Sequence, residues 1–337
     1  MAEKFLSLTR EERREVLESV FARGLTRSAA LLEKDVWVVW ALQALFAGPF
    51  AGDLVFKGGT SLSKAYNVIR RFSEDVDLTY DIRKLVDEQA DRPEALTDAE
   101  ARSLGRRIRE KLLPQRLETE IQPYLEAQIR AAGLQATVER EAENLFLVYE
   151  AVVEYPAYVR PRVKLEFGAR STGEPATPRP VACDLAPAFA ELDFPAATPR
   201  VMRAERTFWE KATLAHVYCL EGKMRGARGF ARHWHDLIRL DEAGFAAAAM
   251  ADRGLAMMVA DQKAKFFPAK DAHAAPVEYH AAVGGHLQLV PQGRARDLLR
   301  EDYGAMIEAG YLEDDAEPFE VLMSWCADLQ DRINAAA

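Results

Sequence analysis

The chain has 337 residues, of which 49% are hydrophobic and 29% charged, and its formal net charge is −9. This length and composition predict a folded protein with a large core and argue against disorder, and the negative charge argues against a protein that coats nucleic acid without specificity. A local basic groove stays possible. Three scattered cysteines are too few for a disulfide framework or a zinc site and are expected to be small buried residues, namely Cys183, Cys219 and Cys326. The chain has no signal-peptide core and no apolar run of membrane-spanning length, so we expect a cytoplasmic protein with no membrane partner.

The first 50 residues predict two helices. Thr9 to Glu12 (TREE) forms a capping-box pattern, and a helix should follow to about Ala22. The stretch from Ser28 to Phe46 has apolar residues on two neighbouring helical faces, which predicts a well-buried helix. Three charged residues near its start, Glu33-Lys34-Asp35, are most simply a solvated face. A catalytic role for them is the alternative.

A strand, a glycine turn, a helix and a second strand are predicted between residues 54 and 81. The apolar run Leu54-Val55-Phe56 suits a buried strand, and Gly58-Gly59 interrupts it before a helix that Thr60 or Ser61 can cap. From Asp75 to Asp81 polar and apolar residues alternate, which predicts a strand with Asp75 and Asp77 on one face.

The chemistry of this unit suits a bound nucleoside triphosphate. Two adjacent carboxylates repel each other unless a cation lies between them, and one or two Mg²⁺ ions are the usual answer. Glycines let phosphates approach the backbone, and the following helix start offers unpaired N–H groups. Alone, a double glycine is usually a turn and Asp-x-Asp a solvated face. Their order and spacing in one short unit favour a nucleotidyltransferase site.

The sequence KGGTSLSK followed by RFSEDVDL resembles the AbiEii/AbiGii family of toxin nucleotidyltransferases, which includes the MenT-type toxins that modify tRNA. The resemblance covers roughly residues 28 to 240. It implies an α+β fold, with a polymerase-beta-like nucleotidyltransferase core built on a mixed sheet, N-terminal helices and a helical C-terminal domain. We accordingly predict an N-terminal helical segment over 1–50, the core over 51–200 and the helical domain over 201–337.

Residues 98 to 168 predict a long helix followed by two strands. The helix should run from Asp98 to about Ala132 and break or kink at its two prolines, Pro114 and Pro123. Its many arginines favour an exposed, salt-bridged face over the alternative, one wall of an RNA-binding groove. The strands are predicted from Leu145 to Tyr155 and from Arg160 to Gly168, joined by a turn that contains Pro156.

The second of these strands carries Lys164 and Glu166 on one face, opposite its apolar residues. Without the resemblance, this pattern is simply an alternating charged face. K-L-E on a strand matches a motif of the family. If this strand lies beside the Asp75–Asp77 strand, Glu166 becomes a third carboxylate that binds the metal or acts as a base, and Lys164 can neutralise phosphate.

Beyond a Pro-, Thr- and Ala-rich stretch over 171–200, which is predicted to be a long connection and a domain boundary, the chain becomes helical. Helices are predicted from Arg203 to Leu220 and from Arg228 to Leu240. The spacing of Arg232 and Asp236 suits a helix salt bridge. The resemblance instead implies that Lys211 binds the triphosphate and that Asp236 orients this lysine or assists at the metal. A basic loop between these helices is a plausible RNA-contacting edge, with Lys223, Arg225 and Arg228.

Together, the pattern and the resemblance imply a metal-dependent nucleotidyltransferase toxin. Asp75 and Asp77 would hold Mg²⁺, and Gly58, Gly59, Thr60 and Ser61 would lie at the phosphates, with Lys57 or Lys64 adding charge. Ser73 would contact the γ-phosphate or be modified itself, since in related toxins this serine is implicated in phosphorylation by a partner. The family implies a cognate antitoxin, and its MenT-type members add nucleotides to the 3′ end of tRNA. Two alternatives remain: transfer to a protein hydroxyl, and a non-catalytic module that binds a nucleotide or a partner.

Overall fold

The structure is a computed structural model that describes residues 2–69, 71, 73, 75–86, 96–155, 159–224, 229–312 and 316–337. The described residues group into two compact units. The first takes its residues from 1–65, 73–96 and 103–202, and the second from 66–72, 97–102 and 203–337. The division at residues 50 and 200 predicted from the sequence stays a prediction, because compactness alone does not define a folding unit.

The first 202 residues contain both helices and short strands. The helices are α1 (Arg10–Glu18), α2 (Ala29–Ala47), α3 (Gly58–Lys64), α4 (Asp98–Arg107), α5 (Leu113–Arg116) and α6 (Gln122–Ala131). The strands are β1 (Glu3–Lys4), β2 (Leu54–Lys57), β3 (Val76–Tyr80), β4 (Ala136–Glu141), β5 (Asn144–Tyr149), β6 (Arg162–Gly168), β7 (Ala176–Pro178), β8 (Val181–Ala182), β9 (Leu192–Asp193), β10 (Ala196–Ala197) and β11 (Arg200–Met202).

Among the described residues, seven strands form one mixed sheet in the order β4-β5-β6-β3-β2-β11-β7. Strand β3 lies near its middle, antiparallel to β2 and parallel to β6. Apolar side chains of these strands are fully buried, among them Phe56, Leu78 and Leu165. The mixed sheet with its helices confirms the predicted α+β class.

The stretch over 171–200, predicted as a long connection and a domain boundary, contains short strands. It contributes β7 and the start of β11 to the main sheet, where β11 runs parallel to β2 and antiparallel to β7. Strand β9 pairs with β1, and β10 pairs with β8. The sequence did not predict these strands, because strands of two or three residues are too short for a periodic pattern to develop between prolines.

Both predicted N-terminal helices form. Thr9 and Glu12 make the predicted capping box at the start of α1, which ends at Glu18 rather than Ala22. Helix α2 is buried along most of its length, and Trp37 on it stacks against Tyr149 of β5 with 4.8 Å between ring centroids. This stacking holds α2 against the sheet.

The charged residues of α2 contradict the prediction of a solvated face. Glu33, Lys34 and Asp35 are only 1, 3 and 7% exposed. Each binds a backbone group of a distant segment. Glu33 accepts the N–H of Val152 at 3.1 Å, Lys34 donates to the carbonyl of Arg160 at 3.3 Å, and Asp35 accepts the N–H of Asp184 at 2.7 Å. Buried charges are tolerated when such partners replace water, and these partners are more than a hundred residues away in sequence.

The chain stays helical through Pro114 and Pro123, where a break or a kink is predicted, but the regular α-helix is interrupted before each of them. A wide π turn precedes each proline, over Ile108–Leu112 and over Leu117–Ile121. Each proline is then the second residue of the next α-helix. Because Pro lacks an N–H and its ring needs room near the carbonyl four residues back, the widened turns accommodate it.

The second unit is helical, as predicted. Its helices are α7 (Ala204–Glu221), α8 (Arg232–Glu242), α9 (Phe245–Ala251), α10 (Arg253–Phe266), α11 (Tyr279–Ala281), α12 (Gly293–Glu308) and α13 (Phe319–Ala335). Two fully buried tryptophans anchor it, because the ring N–H of Trp209 donates to the carbonyl of Ala249 at 3.0 Å and that of Trp234 to Leu289 at 2.6 Å. Of the helices in the described part, none combines the length and apolar character needed to span a bilayer.

The three cysteines carry free thiols. Cys183 and Cys326 are buried, as predicted, and Cys219 is only partly so.

Candidate active site

The turn between β2 and α3 brings the backbone against β3, the strand that carries Asp77 and is called the acidic strand below. Gly58 has φ of 75°, a conformation that favours glycine. A Cβ atom at this position would lie 1.9 Å from Oδ2 of Asp77 and 2.7 Å from its Cγ. Only glycine therefore allows the Asp77 carboxylate to rest beside the turn.

Two hydroxyls hold this turn in place. Thr60 is fully buried, and its Oγ1 donates to the backbone carbonyl of Asp75 and lies 2.9 Å from Oγ of Ser73. Ser61 is also fully buried and donates to the carbonyl of Gly58 at 2.9 Å. In this arrangement both side chains contact protein, and contacts of Thr60, Ser61 or Ser73 with phosphate stay predictions.

The acidic strand has the period-two pattern expected from the sequence. Val76 and Leu78 are buried, whereas Asp75, just before β3, and Asp77 are only partly so. Strand β6 lies beside β3, which is the condition set by the sequence for a third carboxylate. Asp77 is in register with Glu166 on this parallel neighbour, so their side chains leave the same face of the sheet.

Lys164 lies among these acids. Its ammonium forms an ion pair with Glu166 two residues along β6. Burial opposes the charge on the lysine, but the bond to Glu166 and the negative charges of Asp75 and Asp77 raise the pKa of Lys164 above its ordinary value. The site therefore keeps a protonated lysine beside its carboxylates.

The donors at Asp75 and Asp77 suit Mg²⁺. Within the described ranges, no three His, Cys, Asp or Glu side chains are grouped closely enough to form a metal cage. Mg²⁺ in triphosphate sites is commonly held by one or two carboxylates, and its remaining ligands are phosphate oxygens and water. Two carboxylates beside a turn with room for only a glycine fit that mode. The pairing of Glu166 with Lys164 gives Glu166 a partner other than a metal.

Lys64, one of the two lysines predicted to add charge at the phosphates, pairs with protein carboxylates in the structure. Its Nζ is 2.6 Å from carboxylate oxygens of both Asp35 and Asp184, and the Lys64 side chain is only 8% exposed. The other lysine, Lys57, ends β2 directly opposite Asp77 in the antiparallel register. Its role at the phosphates stays a prediction.

In the second unit, Lys211 and Asp236 meet. Nζ of Lys211 on α7 lies 2.9 Å from Oδ2 of Asp236 on α8, and Asp236 is fully buried. Arg71 binds both oxygens of the same carboxylate, at 2.7 and 2.8 Å. Lys211 and Arg71, both from outside its own helix, thus pair with Asp236, whereas the helix spacing predicts Arg232.

The charged groups of this buried cluster shift one another's pKa values. Burial opposes ionisation of Asp236, but Arg71 and Lys211 hold the pKa of Asp236 well below its ordinary value. Burial, together with the charge of Arg71, lowers the pKa of Lys211, although Asp236 opposes this shift. Of the two roles implied for Asp236, orienting the lysine fits this geometry.

Arg71 is the residue of this cluster that the sequence did not single out. Its signal was available, because it directly precedes the F-S-E-D-V-D motif. Of the predicted basic loop, Lys223 is exposed, whereas Arg225 and Arg228 lie outside the described residues.

A glycine turn against an acidic strand, with a charged parallel strand beside it, is the arrangement expected of a nucleotidyltransferase site. The family model "Nucleotidyl transferase AbiEii toxin, Type IV TA system" matches residues 40–325. The chain belongs to this family, and it is a nucleotidyltransferase toxin of a type IV toxin–antitoxin system. A search of curated protein sequences finds no match.

Three solved structures resemble the chain over most of its length. The first is MenT4, nucleotidyltransferase toxin Rv2826c from Mycobacterium tuberculosis H37Rv, with 19% sequence identity and a TM-score of 0.42, and the match covers 98% of this chain and 94% of that one. The second is JHP933 from Helicobacter pylori, with 14% identity and a TM-score of 0.43, and the match covers 92% of this chain and 94% of that one. The third is a nucleotidyltransferase from H. pylori described as "putative", with 14% identity and a TM-score of 0.45, and the match covers 92% of this chain and 96% of that one. Likeness at this level carries no argument about substrate.

Proposed function

We propose that the chain transfers a nucleoside monophosphate from a nucleoside triphosphate to the 3′ end of tRNA and releases pyrophosphate, with Mg²⁺ bound by Asp75 and Asp77. The observation that carries this proposal is the register of Asp77 with Glu166 on β6, beside the turn at Gly58. This arrangement puts two carboxylate-bearing strands and an approachable backbone in one place.

The acidic residues divide the work. Asp75 and Asp77 are partly exposed and would hold the cation, which when bound neutralises charge on the phosphates and orients them. Glu166 would accept the proton of the attacking hydroxyl, or complete the cation's ligands, once its pairing with Lys164 is exchanged for one with substrate. The hydroxyl then attacks the α-phosphorus in line with the departing pyrophosphate.

The lysines would stabilise charge that develops on phosphate oxygens. Lys164 is held protonated by the surrounding acids, and Lys57 lies opposite Asp77. In the second unit, Lys211 is oriented by Asp236 and would bind the triphosphate, as the family resemblance implies.

The acceptor and the partner come from the family. The resemblance to the MenT-type toxins implies a tRNA acceptor, and membership in a type IV toxin–antitoxin family implies a cognate antitoxin. Since tRNA and nucleoside triphosphates are cytoplasmic, we propose that the protein acts there.

The test uses the purified full chain with tRNA, Mg²⁺ and each α-labelled nucleoside triphosphate in turn. We expect labelled tRNA, no label after chelation of Mg²⁺, and no label on tRNA whose 3′ diol has been oxidised with periodate. The isosteric changes Asp75→Asn and Asp77→Asn should each lower the rate by at least about 100-fold, because each removes charge from the cation site. Asp53→Asn is the matched control, since Asp53 precedes the opposite end of β2 and contacts Tyr80.

Three results would refute this proposal. Full activity of both aspartate variants would show that the site is elsewhere. Label on protein rather than RNA in a lysate would select transfer to a protein hydroxyl. Triphosphate binding by calorimetry without product from any acceptor would select a non-catalytic module.

A further inference from the structure

A buried ionic network joins α3 to two other segments of the first unit. The ammonium of Lys64, the last residue of α3, lies 2.6 Å from Oδ1 of Asp35 on α2 and 2.6 Å from Oδ1 of Asp184. The second oxygen of Asp35 accepts the backbone N–H of Asp184 at 2.7 Å. The second oxygen of Asp184 pairs with Arg27. Within the described residues, these two cations and two anions are linked to one another.

The network keeps Lys64 ionised although it is nearly enclosed. Burial disfavours the ammonium, but Asp35 and Asp184 outweigh this and raise the pKa of Lys64 above its ordinary value. The side chains of Lys64 and Asp35 are each 8% exposed, and that of Asp184 is 30% exposed. The charge of Lys64 is therefore directed at two protein carboxylates.

Helix α3 depends on contacts at its ends. It has seven residues, about 10 Å of helix, and helices this short do not persist by themselves in water. Its first residue, Gly58, rests against Asp77, and Thr60 in its first turn donates to the carbonyl of Asp75. Its last residue is Lys64. The helix is thus tied to the acidic strand at one end and to Asp35 and Asp184 at the other.

We propose that Lys64 is a positioning residue for nucleotidyl transfer: by joining the end of α3 to Asp35 and Asp184, it fixes the Gly58 turn at the correct distance from Asp77. This role rests on the proposed function, because the turn matters to catalysis only if triphosphate binds beside it. Lys64 acts through the position of α3 and touches no substrate.

The test compares Lys64→Met with Lys34→Met in the full chain. Methionine keeps the length of lysine without its charge. Lys34 is also a buried lysine, next to Asp35 on α2, but it donates to the carbonyl of Arg160. Turnover and the KM for triphosphate are measured with tRNA, and amide hydrogen exchange is followed in peptides that cover α3 and β6.

Lys64→Met should lower kcat on the order of 10- to 100-fold, the effect of a displaced catalytic element, with KM changed less than about threefold. Exchange in α3 should accelerate roughly tenfold while that of β6 stays the same. Lys34→Met should show neither effect. Combining Asp35→Asn with Lys64→Met should add little further loss, because both changes break one link. If Lys64→Met fails to fold, Asp184→Asn replaces it, because Asp184 is the more exposed of the two carboxylates that bind Lys64. The same changes in kcat, KM and exchange are expected for this variant.

Four outcomes would overturn the proposal. The first two concern folded Lys64→Met: an unchanged kcat, or a raised KM at unchanged kcat, which indicates direct contact of Lys64 with phosphate. The other two are an equal loss of kcat in Lys34→Met and an unchanged rate of amide exchange in α3. A wild-type chain without turnover on any acceptor would refute the proposed function instead. Accelerated exchange of α3 in Lys64→Met would then still support the anchoring by Lys64.

Discussion

Gly58 and Asp77 lie so close that a methyl group on Gly58 would occupy the space of the Asp77 carboxylate, with 1.9 Å between Cβ and Oδ2. The contact joins the turn after β2 to the second residue of β3. A glycine is therefore needed at position 58 to leave room for the Asp77 carboxylate, whether or not a phosphate also approaches the turn.

Gly58→Ala should therefore impair the site. Positive φ costs a non-glycine residue about 1–2 kcal/mol, and the clash additionally forces the Asp77 side chain to move. We expect a loss of kcat on the order of 100-fold with a modest fall in the melting temperature. Gly52→Ala is the control, since no atom lies within 4 Å of a Cβ atom there. Equal activity of the two variants would contradict this prediction.

Thr60→Val should destabilise the first unit. The change keeps the shape of a fully buried side chain but removes the hydroxyl that donates to the Asp75 carbonyl. We expect a loss of about 1–3 kcal/mol in the free energy of unfolding, measured by urea titration. Thr60→Ser keeps the hydroxyl and should lose less. The reverse order would show that packing of the Thr60 methyl matters more than its hydrogen bond.

Arg71→Met should destabilise the second unit strongly. It leaves the fully buried carboxylate of Asp236 with Lys211 but without its bidentate partner. Breaking a buried ion pair in this way costs about 3–5 kcal/mol. Arg332→Met, at a pair whose arginine is half exposed, should have a far smaller effect on the melting temperature. Similar melting temperatures for the two variants would argue against the importance of the Arg71–Asp236 pair.

Glu33 should make stability depend on pH. Burial raises the pKa of Glu33 from 4.5 to about 7, although the N–H of Val152 opposes the shift. Below about pH 4.5 this carboxyl is protonated in both the folded and the unfolded chain. Between about pH 4.5 and 7 the unfolded chain loses the proton and the folded chain retains it, so stability falls as pH rises, by at most about 3 kcal/mol.

Glu33→Gln should remove this fall in stability and make the protein more stable than wild type at pH 8. Urea unfolding at several pH values measures it. Glu15→Gln, at an exposed residue of α1, should leave the slope unchanged. A wild-type slope that persists in Glu33→Gln would exclude Glu33 as its source.

The sequence was sufficient where local pattern decides structure. Strict alternation predicted β3, two apolar faces predicted the burial of α2, and TREE predicted the cap of α1, because neighbouring residues determine each feature. The pairing of β3 with β6 was stated only as a condition, since register between distant strands is determined by the assembled sheet.

The sequence was insufficient where a charge depends on a distant partner. Glu33, Lys34 and Asp35 have the pattern of a solvated face, and their burial is intelligible only with partners from residues 152–184. Lys64 was considered, with Lys57, as a source of charge at the phosphates because its carboxylate partners Asp35 and Asp184 are remote from it in sequence. Arg71 was overlooked since Asp236, its counter-ion, follows 165 residues later.

The assignment of residues 66–72 to the second unit limits how the protein can be dissected. A fragment that ends at residue 202 would retain Arg71 but lose the carboxylate that it binds. The complementary fragment would retain Asp236 and Lys211 without that arginine. Neither piece would therefore contain all three members of the triad formed by Arg71, Lys211 and Asp236. Expression of the two halves as separate polypeptides is accordingly a poor route to either unit, whereas co-expression could restore the triad by complementation.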